Sequence, residues 1–129
     1  MPHHALIIDD NAMNIEVLEQ LLKNEGVTST SVMSPTLISR TIEELDQIDV
    51  VFLDLEFPNG DGFQSLSDLQ NNPTLQGIPI VAYTVHISEQ NEARTAGFHS
   101  FLGKPLSVDR FSRQLKMILR GEPVWDAGE

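Results

Sequence analysis

One stretch constrains this chain more than any other: Val50-Val-Phe-Leu-Asp-Leu-Glu-Phe-Pro-Asn-Gly-Asp-Gly62. Val50 to Leu53 is a short apolar run of β-branched, aromatic and aliphatic side chains. It is too short for a stable helix and reads as a strand buried on both faces. Asp54 ends it, and Pro58, Asn59, Gly60 and Gly62 turn the chain sharply. An acid where a buried strand meets a turn lies at the carboxyl edge of a sheet, the edge where open α/β sheets bind ligands. Alone, Asp54 would serve equally well as a turn cap.

The same pattern of an apolar run closed by acid recurs at Ala5-Leu-Ile-Ile8, which Asp9-Asp10 ends. Ile15, Leu18, Leu21 and Leu22 then recur at helical spacing, so a helix is expected over 13–25, with Asn11 or an adjacent acid as cap and Gly26 as stop. Val27 to Met33 is polar and β-branched and reads as an edge strand. Ser34-Pro35 is a helix-start signal, serine as cap and proline at the first helical position, with Leu37, Ile38, Ile42 and Leu45 on one face. After the strand that leads to Asp54, Phe63, Leu66 and Leu69 mark a third helix, ending near Asn71-Asn72-Pro73. Ile78 to Thr84 is a fourth strand, with Pro79 tolerable only near its start. The segment from Ser88 to Ala96 has a cap in Ser88 and a stop in Gly97 but almost no apolar face, so it should be the most solvated helix. Phe98 to Leu102 is a short fifth strand before Gly103-Lys104-Pro105. Ser107 caps a last helix, in which Phe111, Leu115, Ile118 and Leu119 face inward and Gly121 ends the element. Residues 1–121 therefore read as one domain and 122–129 as a polar tail whose Trp125 has no assigned role. Five strands alternating with five helices imply a parallel sheet with right-handed crossovers and helices on both faces.

At 129 residues a single core suffices without covalent staples. With no cysteine, disulfides and thiolate metal sites are excluded. A formal net charge of -11 repels phosphate backbones and argues against nucleic-acid binding, while favouring divalent cations or basic partners. No apolar run is long enough to span a membrane and no signal-peptide pattern opens the chain, so a cytoplasmic protein is expected.

A parallel sheet brings the carboxyl ends of its strands to one rim, and those ends carry Asp9, Asp10, Asp54, Thr84 and Lys104. Carboxylates about 4 Å apart repel by about 4 kcal/mol per pair at an effective dielectric of 20. They stay ionised together only beside a cation, and Mg²⁺ prefers one or two carboxylates with water and phosphate oxygens. Lys104 adds a positive charge and Thr84 a small hydroxyl donor. Together these are the parts for phosphoryl transfer to an aspartate.

Leu6-Ile-Ile-Asp-Asp-Asn11, Asp54-Leu-Glu-Phe-Pro-Asn-Gly-Asp-Gly62, Thr84 and Phe101-Leu-Gly-Lys-Pro105, in that order, make the chain resemble a single-domain response-regulator receiver of two-component signalling, over Ala5 to Gly121. The resemblance implies a flavodoxin-like doubly wound fold, five parallel strands in the order 2-1-3-4-5. It implies that Asp54 is the phosphoacceptor, and that Asp9, Asp10, Asp54 and the Glu56 backbone carbonyl hold Mg²⁺ or Mn²⁺. Thr84 and Lys104 would bind the phosphoryl group, and Thr84 and Phe101 would form the switch, Phe101 turning inward as Thr84 moves. Glu56, Val85 and His86 would tune phosphoryl lifetime. Val85 is bulkier than the family norm, and Phe101 lacks the hydroxyl of a tyrosine. The Lys104-Pro105 bond is expected to be cis. Asp9-Asp-Asn-Ala-Met-Asn14 is similar to receivers of hybrid kinases and phosphorelays.

The expected function is a stand-alone switch or relay, not an enzyme beyond its own phosphorylation and dephosphorylation. Its donor would be a histidine kinase or histidine phosphotransfer protein. Its output would be contact with a downstream protein through the fourth helix, fifth strand and fifth helix, as a monomer or a phosphorylation-dependent dimer. The alternative is a metal-dependent phosphatase like the haloacid dehalogenases, which uses the same carboxylate, metal and lysine. Those enzymes carry Asp-x-Asp after their first strand, whereas Asp54-Leu-Glu56 follows the third, and this chain has no cap domain.

Overall fold

Alternate residues of a strand face opposite sides of a sheet, and here both sides are apolar. A computed structural model of the chain describes residues 3–57 and 62–126; the turn expected at Pro58, Asn59 and Gly60 lies outside the described residues. The strands are β1 (His4–Ile8), β2 (Thr28–Val32), β3 (Val50–Asp54), β4 (Ile80–Thr84), β5 (Ser100–Gly103) and β6 (Trp125–Asp126). The helices are α1 (Ala12–Asn24), α2 (Ile38–Glu44), α3 (Gly62–Gln70), α4 (Gln90–Ala96) and α5 (Val108–Leu119). The sheet is parallel in the order β2-β1-β3-β4-β5-β6. This is the flavodoxin-like order expected, with one further strand supplied by the tail.

Leu6, Ile8, Val51 and Leu53 pack on one side with Ile42 of α2, Leu66 and Leu69 of α3 and Ala93 of α4. Ala5, Ile7, Val50 and Phe52 pack on the other with Ile15, Leu18 and Leu22 of α1 and Phe111, Leu115 and Ile118 of α5. The polar strand β2 lies at the sheet edge, where its exposed residues meet water. β4 begins after Pro79, whose carbonyl accepts from Val51 N at 2.9 Å although its own nitrogen has no hydrogen to donate.

Two helix starts differ from expectation. Pro35–Leu37 form a 3₁₀ turn before α2, and the Ser34 hydroxyl meets Thr36 Oγ1 at 3.0 Å without capping a backbone N–H. The Leu37 N–H is satisfied by the Ser34 carbonyl at 3.1 Å, so the tighter turn needs no side-chain cap. Ser88 likewise lies inside a 3₁₀ turn, Ile87–Glu89, and α4 starts uncapped at Gln90. Ala93 is the one buried residue of α4, so that helix is as solvated as its sequence implies. Asn11 and Ser107 do cap α1 and α5, accepting from Asn14 N at 3.1 Å and Arg110 N at 3.2 Å.

Candidate functional site

The rim is built by chain direction. β1, β3 and β4 run parallel and stop at about the same height, with Ile8 opposite Leu53 and Asp54 opposite Tyr83. Asp9 therefore follows the last paired residue of β1, and Asp54 is itself the last residue of β3. Asp9 is fully buried and Asp10, the next residue, is exposed.

Asp9 is held at both oxygens: Oδ1 accepts from Asn11 N at 2.9 Å and Oδ2 from the Tyr83 hydroxyl at 2.6 Å. Asp54 Oδ1 accepts from Glu56 N at 3.0 Å, which starts the turn after β3. Lys104 arrives from β5, its Nζ 3.5 Å from Asp9 Oδ2 and 3.5 Å from Asp54 Oδ1 and 4.2 Å from the centre of the Tyr83 ring. The Lys104-Pro105 peptide is cis. Thr84 is fully buried, and its Oγ1 accepts from His86 N at 3.0 Å. Its own O–H has no acceptor among the described residues.

Burial pushes the Asp54 carboxyl up to about 6, with the Asp9 charge adding to the rise; the Glu56 N–H and the Lys104 ammonium offset part of it. Burial and the Asp9 charge also hold the Tyr83 phenol far above its ordinary value, so Tyr83 stays a donor.

One oxygen each of Asp9, Asp10 and Asp54 lies within 4.8 Å of the others. Hard oxygen donors with surplus negative charge and an exposed side at Asp10 fit a divalent cation such as Mg²⁺, which keeps part of its water. Glu56, whose backbone carbonyl belongs to the expected ligand set, lies in the turn directly after Asp54.

Glu56 and His86 meet at 2.9 Å (Oε1 to Nε2), linking the turn after β3 to the one after β4. Val85 is 60% exposed and stands outside that link. Phe101 is fully buried in this structure, its ring stacked on Trp125 at 6.2 Å.

Tyr83 is the site residue that sequence reasoning missed. The available signal was a tyrosine inside a buried strand, since a buried phenol needs a hydrogen-bond acceptor. Tyr83→Phe leaves Asp9 short of a donor and is expected to cost about 1–2 kcal/mol. That should lower the melting temperature by roughly 3–8 °C. An unchanged melt would mean that Asp9 does not depend on the phenol.

Residues 5–116 match the family model described as "Response regulator receiver domain". This chain belongs to the response-regulator receiver family. Among curated receivers, it is 27% identical to the polar-differentiation response regulator DivK of Brucella anthropi, covering 92% of this chain and 98% of that one. It is 30% identical to a hybrid signal transduction histidine kinase, L, of Dictyostelium discoideum, over 79% of this chain but only 6% of that kinase.

Solved receivers share the fold. A CheY-like receiver domain from Methylobacillus flagellatus superposes with a TM-score of 0.80 at 24% identity, covering 92% of this chain and 99% of that one. The receiver domain of a sensor histidine kinase from Pseudomonas aeruginosa, whose structure has magnesium in its active-site cleft, gives 0.80 at 23%, covering 93% and 99%. Receivers are signalling switches in two-component pathways, where they interact with histidine kinases and effectors, so the phosphatase alternative finds no support. No helix among the described residues is long and apolar enough to cross a membrane.

Proposed function

We propose that this receiver is a stand-alone phosphorylation switch or phosphorelay intermediate that accepts a phosphoryl group on Asp54 from a phosphohistidine donor. The observation that carries the reading is the convergence of Asp9, Asp10 and Asp54 within 4.8 Å, with Lys104 Nζ 3.5 Å from both Asp9 and Asp54.

Lys104 and the Glu56 N–H hold Oδ1 of Asp54, and the other carboxylate oxygen, Oδ2, would be the nucleophile. Its lone pair forms the new O–P bond as the P–N bond of the donor breaks, and the imidazole leaves with the electron pair. Asp9, Asp10, Asp54 and the Glu56 carbonyl would hold Mg²⁺ or Mn²⁺, which neutralises phosphoryl oxygens and the crowded acids. Lys104 and the Thr84 O–H take the remaining phosphoryl oxygens. Movement of Thr84 would be read by Phe101 and passed to the face of α4, β5 and α5.

Glu56, paired with His86, and the exposed Val85 lie in the turns after β3 and β4 and would set how quickly water removes the group. Val17 lines a small cavity with Tyr83, Lys104 and Pro105. The exposed Met13, Val17 and Val108 offer an apolar rim to the donor, a histidine kinase or histidine phosphotransfer protein. The place of action would be the cytoplasm, and phosphorylation could act on a monomer or drive a dimer.

Incubation with acetyl phosphate and Mg²⁺ should add the mass of one phosphoryl group, removable by hydroxylamine and absent with EDTA. Phosphorylation at another residue, or steady turnover of p-nitrophenyl phosphate, would overturn the reading.

A further inference from the structure

Tyr83 lies between the two strands that carry Asp54 and Lys104. In the register of the sheet it stands opposite Asp54 of β3 on one side and Leu102 of β5, two residues before Lys104, on the other. Its side chain is fully buried, and the ring meets Phe52 edge-on at 6.3 Å and 86°, so close packing leaves it no room to swing away. This one residue touches both charged neighbours of Asp54. The phenol donates to Asp9 Oδ2 at 2.6 Å, and the ring carries the Lys104 ammonium 4.2 Å from its centre.

The oxygen that takes the phenol is also the one that faces the lysine. Asp9 Oδ2 accepts the O–H at 2.6 Å and has Lys104 Nζ at 3.5 Å, and Nζ lies the same 3.5 Å from Asp54 Oδ1. Both ammonium contacts are longer than a charge-assisted hydrogen bond, about 2.7–2.9 Å. Asp9 is fully buried, and a buried carboxylate without donors is costly, so it draws in the donors within reach. With the Asn11 N–H on Oδ1 and the phenol on Oδ2, that demand is met without the lysine. Without the phenol, Oδ2 would draw the ammonium in and away from Asp54.

We propose that Tyr83 is a positioning residue for phosphoryl transfer: its hydroxyl occupies Asp9 Oδ2, so that Lys104 stays shared between Asp9 and Asp54 and free to turn to the incoming phosphoryl group. The proposal rests on the reading of Asp54 as phosphoacceptor. The role belongs to the hydroxyl, and it is exerted through Lys104.

The test compares full-length wild type, Tyr83→Phe, Lys104→Met and the double variant. Tyr83→Phe keeps the ring and removes only the hydroxyl. With acetyl phosphate, Asp54 forms the new O–P bond as the P–O bond to the acetyl group breaks and acetate leaves with the electron pair. Mass spectrometry gives the rate constant of that reaction. Calorimetry gives the dissociation constants of Mg²⁺ alone and of beryllofluoride in saturating Mg²⁺. Tyr83→Phe should react at least about tenfold more slowly and bind beryllofluoride at least about tenfold more weakly, the worth of one hydrogen bond to a charged group. Its Mg²⁺ dissociation constant should equal that of wild type. In the Lys104→Met background the same substitution should change neither rate nor beryllofluoride affinity, because the lysine through which it acts is gone.

A Tyr83→Phe chain that reacts and binds beryllofluoride like wild type would overturn the proposal while leaving the phosphoacceptor reading in place. An equal loss in both backgrounds would also overturn it. So would a matching loss of Mg²⁺ affinity, because the phenol would then serve only to hold Asp9. A Tyr83→Phe chain without a cooperative melt would make the phenol a requirement of the fold and likewise sink the proposal. A wild type that gains no phosphoryl group on Asp54 would remove the phosphoacceptor reading, and the positioning role with it.

Discussion

Asp54→Asn is expected to abolish phosphorylation and, in EDTA at pH 7, to raise the melting temperature by roughly 10 °C. The two effects have one cause. The carboxylate proposed as the nucleophile is also a buried charge beside Asp9, and its carboxyl is pushed from 3.8 in the unfolded chain up to about 6 when folded. Between those values the folded state holds a proton that the unfolded chain has released. The contribution of Asp54 to stability is therefore fully present below about pH 4 and is lost as pH rises through about 6. The loss amounts to roughly 3 kcal/mol. An amide carries no charge and can still accept the Glu56 N–H, so it escapes that loss. The advantage of the mutant should shrink towards zero at pH 4.

Mg²⁺ should reverse the ranking in part. Wild type gains about 1.4 kcal/mol when free metal is ten times its dissociation constant, and the mutant gains less. The check is a set of melts at pH 4 and pH 7, each with EDTA or Mg²⁺. A mutant that melts below wild type in EDTA at pH 7 would mean that Asp54 serves mainly to hold the turn. Asp10 is the weaker choice for this experiment, because its exposed carboxylate is already solvated.

Gly62→Ala is expected to destabilise the protein by about 3 kcal/mol, at the upper end of the usual overpacking cost. A Cβ at this position would lie 2.6 Å from Leu55 Cα, 2.8 Å from the Leu55 carbonyl oxygen and 2.9 Å from the Asp54 carbonyl oxygen. All three are backbone atoms, so no rotamer change can relieve the contact. Gly62 N also donates to Leu55 O at 3.2 Å, which ties the start of α3 to the turn that carries Glu56. Relief must come from moving that turn. The variant should therefore melt roughly 10–15 °C lower, and its Mg²⁺-dependent rise in melting temperature should be smaller than that of wild type. A melt within a degree or two of wild type would show that α3 can shift without involving the turn.

Much of the fold was legible because the information is local. Ala5–Ile8 and Val50–Leu53 are apolar without alternation, which only a strand covered on both faces permits, and each ends in an acid that must then lie on the rim. Helical spacing in α1 and α5, with Asn11 and Ser107 at their starts, needed no partner to be read. Placement of Asp9, Asp10, Asp54, Thr84 and Lys104 on one rim follows from parallel strands alone.

The division of labour between Asp9 and Asp10 was not legible. Two adjacent acids look alike in sequence, and only the packing at the rim, with the Tyr83 hydroxyl 74 residues away, separates the buried one from the one left in water. Ser34 and Ser88 looked like helix caps because their identity is right for that role. Whether a 3₁₀ turn intervenes depends on how the following helix docks. The tail looked polar and featureless, since two residues of strand carry no periodicity. Its place on β5 comes from Phe101, Arg94, Arg110 and Gln114, which three separate elements bring together. Sequence by itself determined which residues reach the rim, because strand direction and apolar patterning are properties of single segments. Tertiary structure alone decided which acid is buried, which hydroxyl holds it and what covers β5, because each of these depends on a contact between segments distant in the chain.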